Sequence, residues 1–350
     1  ILEIYRDVVE SCLAVPVVTG MKSESEKFAG AVETYTIEAM MQDKKALQAG
    51  TSHFLGQNFA RAFDVQFQNR QGQLDYVWAT SWGVSTRLIG AVIMTHSDDK
   101  GLVLPPALSP EDAVIIPIYR NDSKAAVIAY AEKLEADLKA AGFRVVLDID
   151  DSYSPGWKFT EWELRGTPVR IEIGPRDIKS NQVVMVRRDT SEKLTTSNTE
   201  AASKLRELLK FIQDSLFERA RSFRQENTKP ISDLGALIEF FGTETAGTEG
   251  APGGFAESLW CGSPTCEASI KENNRCVMIT GTEFSGVMLM DGKPENSEGT
   301  LTVAALTSLV FGVKTAEEIC ADGDAVMSDR MKEELDKIIP LSQIYLNETV

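Results

Sequence analysis

Cysteine, histidine and long apolar runs are all scarce in this 350-residue chain. Its five cysteines, an odd and sparse set, fit a reducing compartment better than a secreted disulfide framework. Two histidines, His53 and His96, are too few for a multi-histidine zinc site. The longest mainly apolar stretch, Leu301 to Val313, is too short to span a bilayer as a helix. Residues 1–10 carry three acids and no basic leader, so no signal or transit peptide is expected, and without a Met at position 1 the biological start is left open. The chain also lacks a G-x-x-x-x-G-K-[ST] phosphate loop, a G-x-G-x-x-G after a strand, and a G-x-S-x-G elbow.

What is there is an ordinary globular composition, 43% hydrophobic and 25% charged. At about 150 residues per domain, this length predicts two or three domains. The net charge of −16 weighs against a nucleic-acid partner, because phosphate contacts dominate such affinity. The charge is uneven, however. Residues 157–224 hold 14 Lys and Arg against 10 Asp and Glu, a local net of +4, while residues 225–350 hold 8 against 21. A basic segment within an acidic chain weakens the objection, although a solvated helix face explains it equally well.

Hydrophobic periodicity divides the chain. Residues 1–13 read as an amphipathic helix and 31–41 as a strand. A helix is expected over about 55–63, two strands over 64–80 around the turn at 69–73, and a tightly packed helix over 84–95. Antiparallel strands with helices around them predict an α+β domain. Pro105, Pro106 and Pro110 mark a linker. Beyond it, strands at 113–119, 143–149, 167–173 and 182–186 alternate with helices at 123–141, 157–164 and 201–223, which predicts a compact α/β domain with a mainly parallel sheet. Residues 225–350 form a small acidic region holding four of the cysteines.

Three stretches carry chemistry. QAGTSHFLGQNF (48–59) gathers hydroxyls, an imidazole and amides around two glycines, as a polar small-molecule site requires; the competing reading is a helix capped by Thr51 or Ser52. In SWGVSTRLIG (81–90), Gly83 permits close approach, Ser85 or Thr86 can cap a helix, and Arg87 sits at the helix start. The helix dipole does not favour a cation there, so the position makes sense if Arg87 faces an anion such as a triphosphate; a surface ion pair is the alternative. GWKFTEWELRGTPVRIEIGPRD (156–177) sets aromatics beside alternating charges, with Glu163, Arg170 and Asp177 seven residues apart. That suits base-edge reading and stacking on single-stranded RNA, or equally a structural ion-pair network.

Together with EKFAG (26–30), HSDDKGLVLPP (96–106) and GGFAESLWCGSPTCE (253–267), these phrases resemble prolyl-tRNA synthetase of the eukaryotic and archaeal type, from near residue 1 to about 280. The SWG-x-[ST]-T-R phrase alone resembles any class II synthetase; the GWKF…EWE…GPRD block is the more specific part.

The resemblance implies an α+β and α/β multidomain chain. Residues 1–108 would be the C-terminal half of a class II antiparallel-sheet catalytic domain, 112–224 an α/β anticodon-binding domain, and 225–350 a small α+β C-terminal domain resembling a degenerate zinc-binding one. It implies ATP-dependent ligation of L-proline to its tRNA through prolyl-adenylate, with Mg2+. By similarity, Gln48, Thr51, Ser85 and Arg87 hold ATP, with Arg87 clamping the phosphates, and Phe28, His53, Ser81 and Gly83 line the proline pocket. Phe159, Glu163, Arg170, Arg176 and Asp177 match anticodon-facing positions, with Phe159 packing or stacking.

Some features depart from the pattern. Motif 1, motif 2 and the proline-binding T-x-E lie upstream of this chain in the family, so a longer polypeptide is expected. Phe54 stands where the family often has a second histidine, and the usual tyrosine-terminated tail is replaced by YLNETV. Cys261 and Cys266 match half of a family zinc site whose later C-x-C pair is missing; Cys320 with Asp322, or Cys276, are the remaining candidates, and structural zinc is not expected. A cytoplasmic homodimer is implied, with neither DNA nor a membrane as partner. The alternative is a non-catalytic tRNA-binding or regulatory paralogue.

Overall fold

A computed structural model describes residues 1–24, 26–231, 234–241, 254–257, 276–281, 287–292, 299–301, 321 and 325–327. The chain divides into two compact units, Ile1–Ile231 with Gly253–Ser258, and Ser232–Pro252 with Leu259–Val350.

The first unit opens with helix α1 (Leu2–Ser11) and strands β1 (Val17–Met21), β2 (Glu33–Met40) and β3 (Ala46–Gly56). Helix α2 (Asn58–Ala62), the hairpin β4 (Gln66–Gln68) and β5 (Leu74–Tyr76), strand β6 (Ala79–Gly83) and helix α3 (Arg87–His96) follow. Strands β1-β2-β3-β6 form an antiparallel sheet. Its period-2 alternation gives it one apolar and one polar face. Ile37, Ala39 and Ala49 pack with Val9 and Leu13 from the α1 end and Val92 from α3, which form the core of this part. The helix expected over 55–63 begins only at Asn58. Residues through Gly56 are held in β3 by pairing with β2 on one side and β6 on the other, so Thr51 and Ser52 lie mid-strand and cap no helix.

The linker after α3 is tied down by Arg144. Its Nη1 donates to the Ser109 carbonyl at 2.6 Å and its Nη2 to the Pro106 carbonyl at 3.1 Å, while Asp112 accepts from both its guanidinium and its main-chain N–H.

The second sheet contains β7 (Ala113–Pro117), β8 (Val145–Leu147), β9 (Val169–Ile173), β10 (Gln182–Arg187) and β11 (Lys193–Ser197), in the order β11-β10-β9-β7-β8. Interior strand β7, between β9 and β8, is buried on both faces, as a parallel strand covered by helices must be. Ala113 and Ile115 join the core with α4 (Lys124–Ala140) and α7 (Ala201–Glu226), whereas Val114 and Ile116 meet Trp162 of α5 (Pro155–Leu164). Helix α7 follows its stripe Ala201, Leu205, Leu209, Ile212 and Leu216, at spacings of three and four.

The sheet is mixed rather than mainly parallel: β7 pairs with β8 and β9 in parallel, but β9–β10 and β10–β11 are antiparallel. The reason is local. A short helix, α6 (Pro175–Lys179), and a tight turn return the chain beside β9 without a long crossover, and antiparallel neighbours permit that. Strand β11 escapes the apolar pattern because KLTTS is an edge strand, largely exposed.

A parallel pair, β12 (Thr228–Pro230) and β13 (Phe255–Glu257), closes this unit. In the second unit the described elements are α8 (Leu234–Phe241) and the antiparallel pairs β14 (Cys276–Gly281) with β15 (Val287–Gly292), and β16 (Gly299–Leu301) with β17 (Ala325–Met327). Among the described residues, no helix is long and apolar enough to cross a membrane.

Candidate functional site

Directly opposed residues in an antiparallel pair share a face. The register sets Thr34 opposite His53, Thr36 opposite Thr51 and Glu38 opposite Gln48; on the other edge His53 faces Ser81 and Thr51 faces Gly83. All these residues therefore lie on the polar face, away from the Ile37–Ala39 core. A bulge in β3 makes this possible. Strict alternation from Thr51 would put Ala49 on this face and Gln48 beneath it. The extra residue reverses the parity, so Ala49 is buried in the core and Gln48 joins the polar side.

His53 is held between two hydroxyls: Thr34 Oγ1 lies 2.9 Å from Nδ1 and Thr51 Oγ1 lies 3.2 Å from Nε2. Burial pushes the imidazole pKa below its usual value. The neutral ring has one donor and one acceptor, so one threonine donates to it and the other accepts. The Phe28 ring is tilted against the imidazole at 4.9 Å, and the Phe28 N–H donates to Thr34 Oγ1 at 3.0 Å. Thr34 thus fixes both partners. Its signal was present in ETYTIEAM, where alternation places it beside Thr36, but only the strand pairing brings it to His53.

Arg87 is the first residue of α3. Ser85 Oγ accepts the Arg87 main-chain N–H at 3.3 Å, while Thr86 at the cap position makes no side-chain cap. The exposed guanidinium crosses to β3, and its Nη1 donates to the Gln48 carbonyl at 3.2 Å. That bond uses one of the five N–H donors of a guanidinium. Beyond its two chain neighbours, no residue lies within 4 Å of the place a Cβ on Gly83 would take, so packing does not require glycine there. Gln48, Thr51, His53, Ser81, Gly83, Ser85 and Arg87 thus lie on one end of one sheet face and the adjoining helix start. Such a surface suits an anion beside a small polar molecule: a cation at a helix N-terminus, hydroxyls, amides and an aromatic wall.

In the second sheet, Arg170 lies over the Phe159 ring, with its guanidinium carbon 4.2 Å from the centroid. It bonds Glu163 Oε1 at 2.9 Å and Glu172 Oε1 at 3.0 Å, and Lys193 reaches Glu172 at 3.2 Å. The Arg170 side chain is only 12% exposed, so it already serves as the cation of an ion-pair network. Arg176 is exposed on α6, whereas Asp177 closes the first turn of that helix by accepting the Gly174 N–H at 2.7 Å. The seven-residue recurrence therefore places Glu163 and Arg170 together, with Asp177 in a helix-starting role of its own. Behind them Lys158 is buried and bonded to Asp148, which also accepts from the Trp162 indole at 2.8 Å.

Cys261, Cys266, Cys320 and Asp322 lie outside the described residues, and of Cys276 only its place in β14 is described. Among the described residues, no group of three or more His, Cys, Asp or Glu is placed to hold a metal ion.

Comparison with known proteins first gives the class of the second sheet: residues 112–208 match the anticodon binding domain family. More particular likeness covers most of the chain. It is 53% identical over 308 residues to a proline–tRNA ligase of Chloroherpeton thalassium, covering 84% of this chain and 61% of that protein. It is 47% identical over 306 residues to the proline–tRNA ligase of Christiangramia forsetii, and 51% identical over 300 residues to proline–tRNA ligase 2 of Clostridioides difficile; each match covers 60% of the relative. The chain thus spans about three-fifths of the length of the curated relatives it matches.

Proposed function

We propose that the chain belongs to a proline–tRNA ligase and supplies part of its adenylation site and its anticodon-binding domain. The observation that carries this reading is the contact of Arg87 with the Gln48 carbonyl, on a sheet face shared with Thr51, His53 and Ser81. The identity to proline–tRNA ligases over more than four-fifths of the chain supports it.

In this reaction a carboxylate oxygen of proline attacks the α-phosphorus of ATP. A new P–O bond forms, the bond to the bridging oxygen breaks, and pyrophosphate leaves. A terminal ribose hydroxyl of the tRNA then attacks the prolyl carbonyl carbon, the acyl–phosphate bond breaks, and AMP leaves with loss of the hydroxyl proton. Such an in-line displacement requires positioning and charge neutralisation more than a general base. Arg87 would meet the phosphates, helped by the α3 N-terminus, and Gln48, Thr51 and Ser85 would orient the nucleotide. Phe28, His53, Ser81 and Gly83 would line the proline pocket. His53, bonded at both nitrogens, acts as a fixed wall rather than a base. Mg2+ would neutralise further phosphate charge when bound with ATP.

Phe159, Glu163, Arg170, Arg176 and Asp177 would face the anticodon. A guanine reaching Glu163 or Arg170 exchanges base hydrogen bonds for part of the existing ion-pair network, which makes recognition a replacement of partners. The proposal retains domains at 1–108, 112–224 and 225–350, a cytoplasmic homodimer, and completion of the catalytic domain by sequence outside these 350 residues. It also retains the eukaryotic and archaeal type, on the motifs alone, since the relatives named above are bacterial. Proline-dependent ATP–pyrophosphate exchange and tRNA charging by the full-length protein test the reading. Binding of tRNA with neither reaction would favour the non-catalytic paralogue.

A further inference from the structure

The two sheets are joined at a point that none of the site residues explains. Arg188, just beyond β10, is buried, with a side chain 4% exposed. Its Nε donates to the Glu163 carbonyl at 2.8 Å, at the end of α5. Its Nη1 and Nη2 grip the Asp98 carboxylate as a fork, at 2.9 and 2.6 Å. Asp98 is the second residue after α3, whose first residue is Arg87. The same junction is tight at the backbone: the Leu102 N–H donates to the Leu164 carbonyl at 3.0 Å, and a Cβ on Gly101 would lie 2.5 Å from Leu164 Cα.

One continuous set of contacts therefore runs from the Arg170–Glu163 pair, through the Glu163 main chain to Arg188, across to Asp98 and along α3 to Arg87. Helix α3 has ten residues and acts as a rod about 15 Å long. A bidentate guanidinium–carboxylate pair fixes distance and plane together, which a lysine cannot do.

Building on the ligase reading above, we propose that Arg188 is a positioning residue that links engagement of the Glu163–Arg170 face by the anticodon to the placement of α3, and so of Arg87. Arg188 meets the proposed anticodon face only through the Glu163 main chain, and it bonds none of the side chains assigned to either substrate. A displacement of the α5 end by a bound base moves the carbonyl it holds, and the fork passes that movement to Asp98.

The test uses full-length protein, transcribed tRNA of cognate anticodon, and the same tRNA with one anticodon guanine changed to adenine. The variants are Arg188→Lys, which keeps the buried charge but not the fork, and Asp98→Asn. In the unsubstituted protein the base change is expected to lower kcat for charging as well as raise KM for tRNA. In either variant, tRNA-independent pyrophosphate exchange stays within about twofold and KM for cognate tRNA within about threefold, while kcat for cognate charging falls about tenfold. The base change then raises KM but no longer lowers kcat. Independent multiplication of the two kcat losses would overturn the inference. So would a matching loss of exchange or a collapse of the melting transition, because Arg188 would then be only a structural tie. Absence of proline-dependent exchange in the unsubstituted protein would overturn the ligase reading, and this inference with it.

Discussion

Arg87 and Gln48, 39 residues apart in sequence, meet through a guanidinium-to-carbonyl hydrogen bond of 3.2 Å. The bond leaves the Gln48 side chain free of this arginine and aims the cation along the polar face of the sheet. Arg87 is exposed and joins no ion pair among the described residues, so its removal disturbs little packing. Arg87→Ala in the full-length protein should lower proline-dependent pyrophosphate exchange by about 10²–10³-fold while the melting temperature stays within about 2 °C. Near-normal exchange would refute its role.

Arg170 neutralises two carboxylates under an aromatic ring. Arg170→Ala should reduce tRNA charging about tenfold or more and leave tRNA-independent exchange unchanged. It should also destabilise the domain by about 3 kcal/mol, because Glu163 and Glu172 lose their shared cation. Charging kinetics and a urea melt measure the two effects separately. Equal loss of exchange and charging would mean the arginine acts only through the fold.

Gly101 and Gly142 both have positive φ, +130° and +90°, yet they predict different costs. An alanine at 142 would meet no residue within 4 Å beyond its two chain neighbours, so only backbone strain of about 1 kcal/mol applies. An alanine at 101 would run into the Leu164 main chain, which cannot move aside as a side chain can. Gly101→Ala should therefore cost at least about 3 kcal/mol. Similar denaturant midpoints for the two variants would show that the α5–linker junction yields easily.

His96, 3% exposed, donates from Nε2 to the Leu13 carbonyl at 2.9 Å. Burial pushes its pKa from 6.5 down to about 4, outweighing that hydrogen bond. Because the folded pKa lies below the unfolded one, the unfolded state binds the extra proton between these values. The stability associated with neutral His96 is complete above about pH 6.5, declines as the pH falls, and is fully lost near pH 4. The total is about 3 kcal/mol. Denaturant melts at pH 7 and pH 4.5 should show this slope, and His96→Gln should flatten it.

The ends of several elements were legible because single residues enforce them. Gly142 stops α4 and the prolines after Leu104 exclude a helix from the linker, whereas α5 begins at Pro155, ahead of the start expected at Trp157. The long helix expected over 201–223 was equally plain, and α7 runs over Ala201–Glu226. Composition also marked Arg87, since a cation at a helix start invites an anion.

Thr34 and the parity change at Ala49 were not legible, because a side chain's face in a strand depends on pairing and bulges that no local pattern records. The mixed order of the second sheet depended on α6, a helix of only five residues. The ion-pair network around Arg170 was weighed in the sequence as an alternative to RNA reading, and the structure presents the network itself.

By itself the sequence determined which residue types were available, the period of each segment and the places where the backbone must turn. The tertiary structure decided what those residues meet. His53 finds two threonines, Arg87 finds a carbonyl on another strand, and Arg188 spans from Glu163 to Asp98. The physical reason is that these contacts join positions distant in sequence, and their geometry exists only after two sheets have packed their own cores.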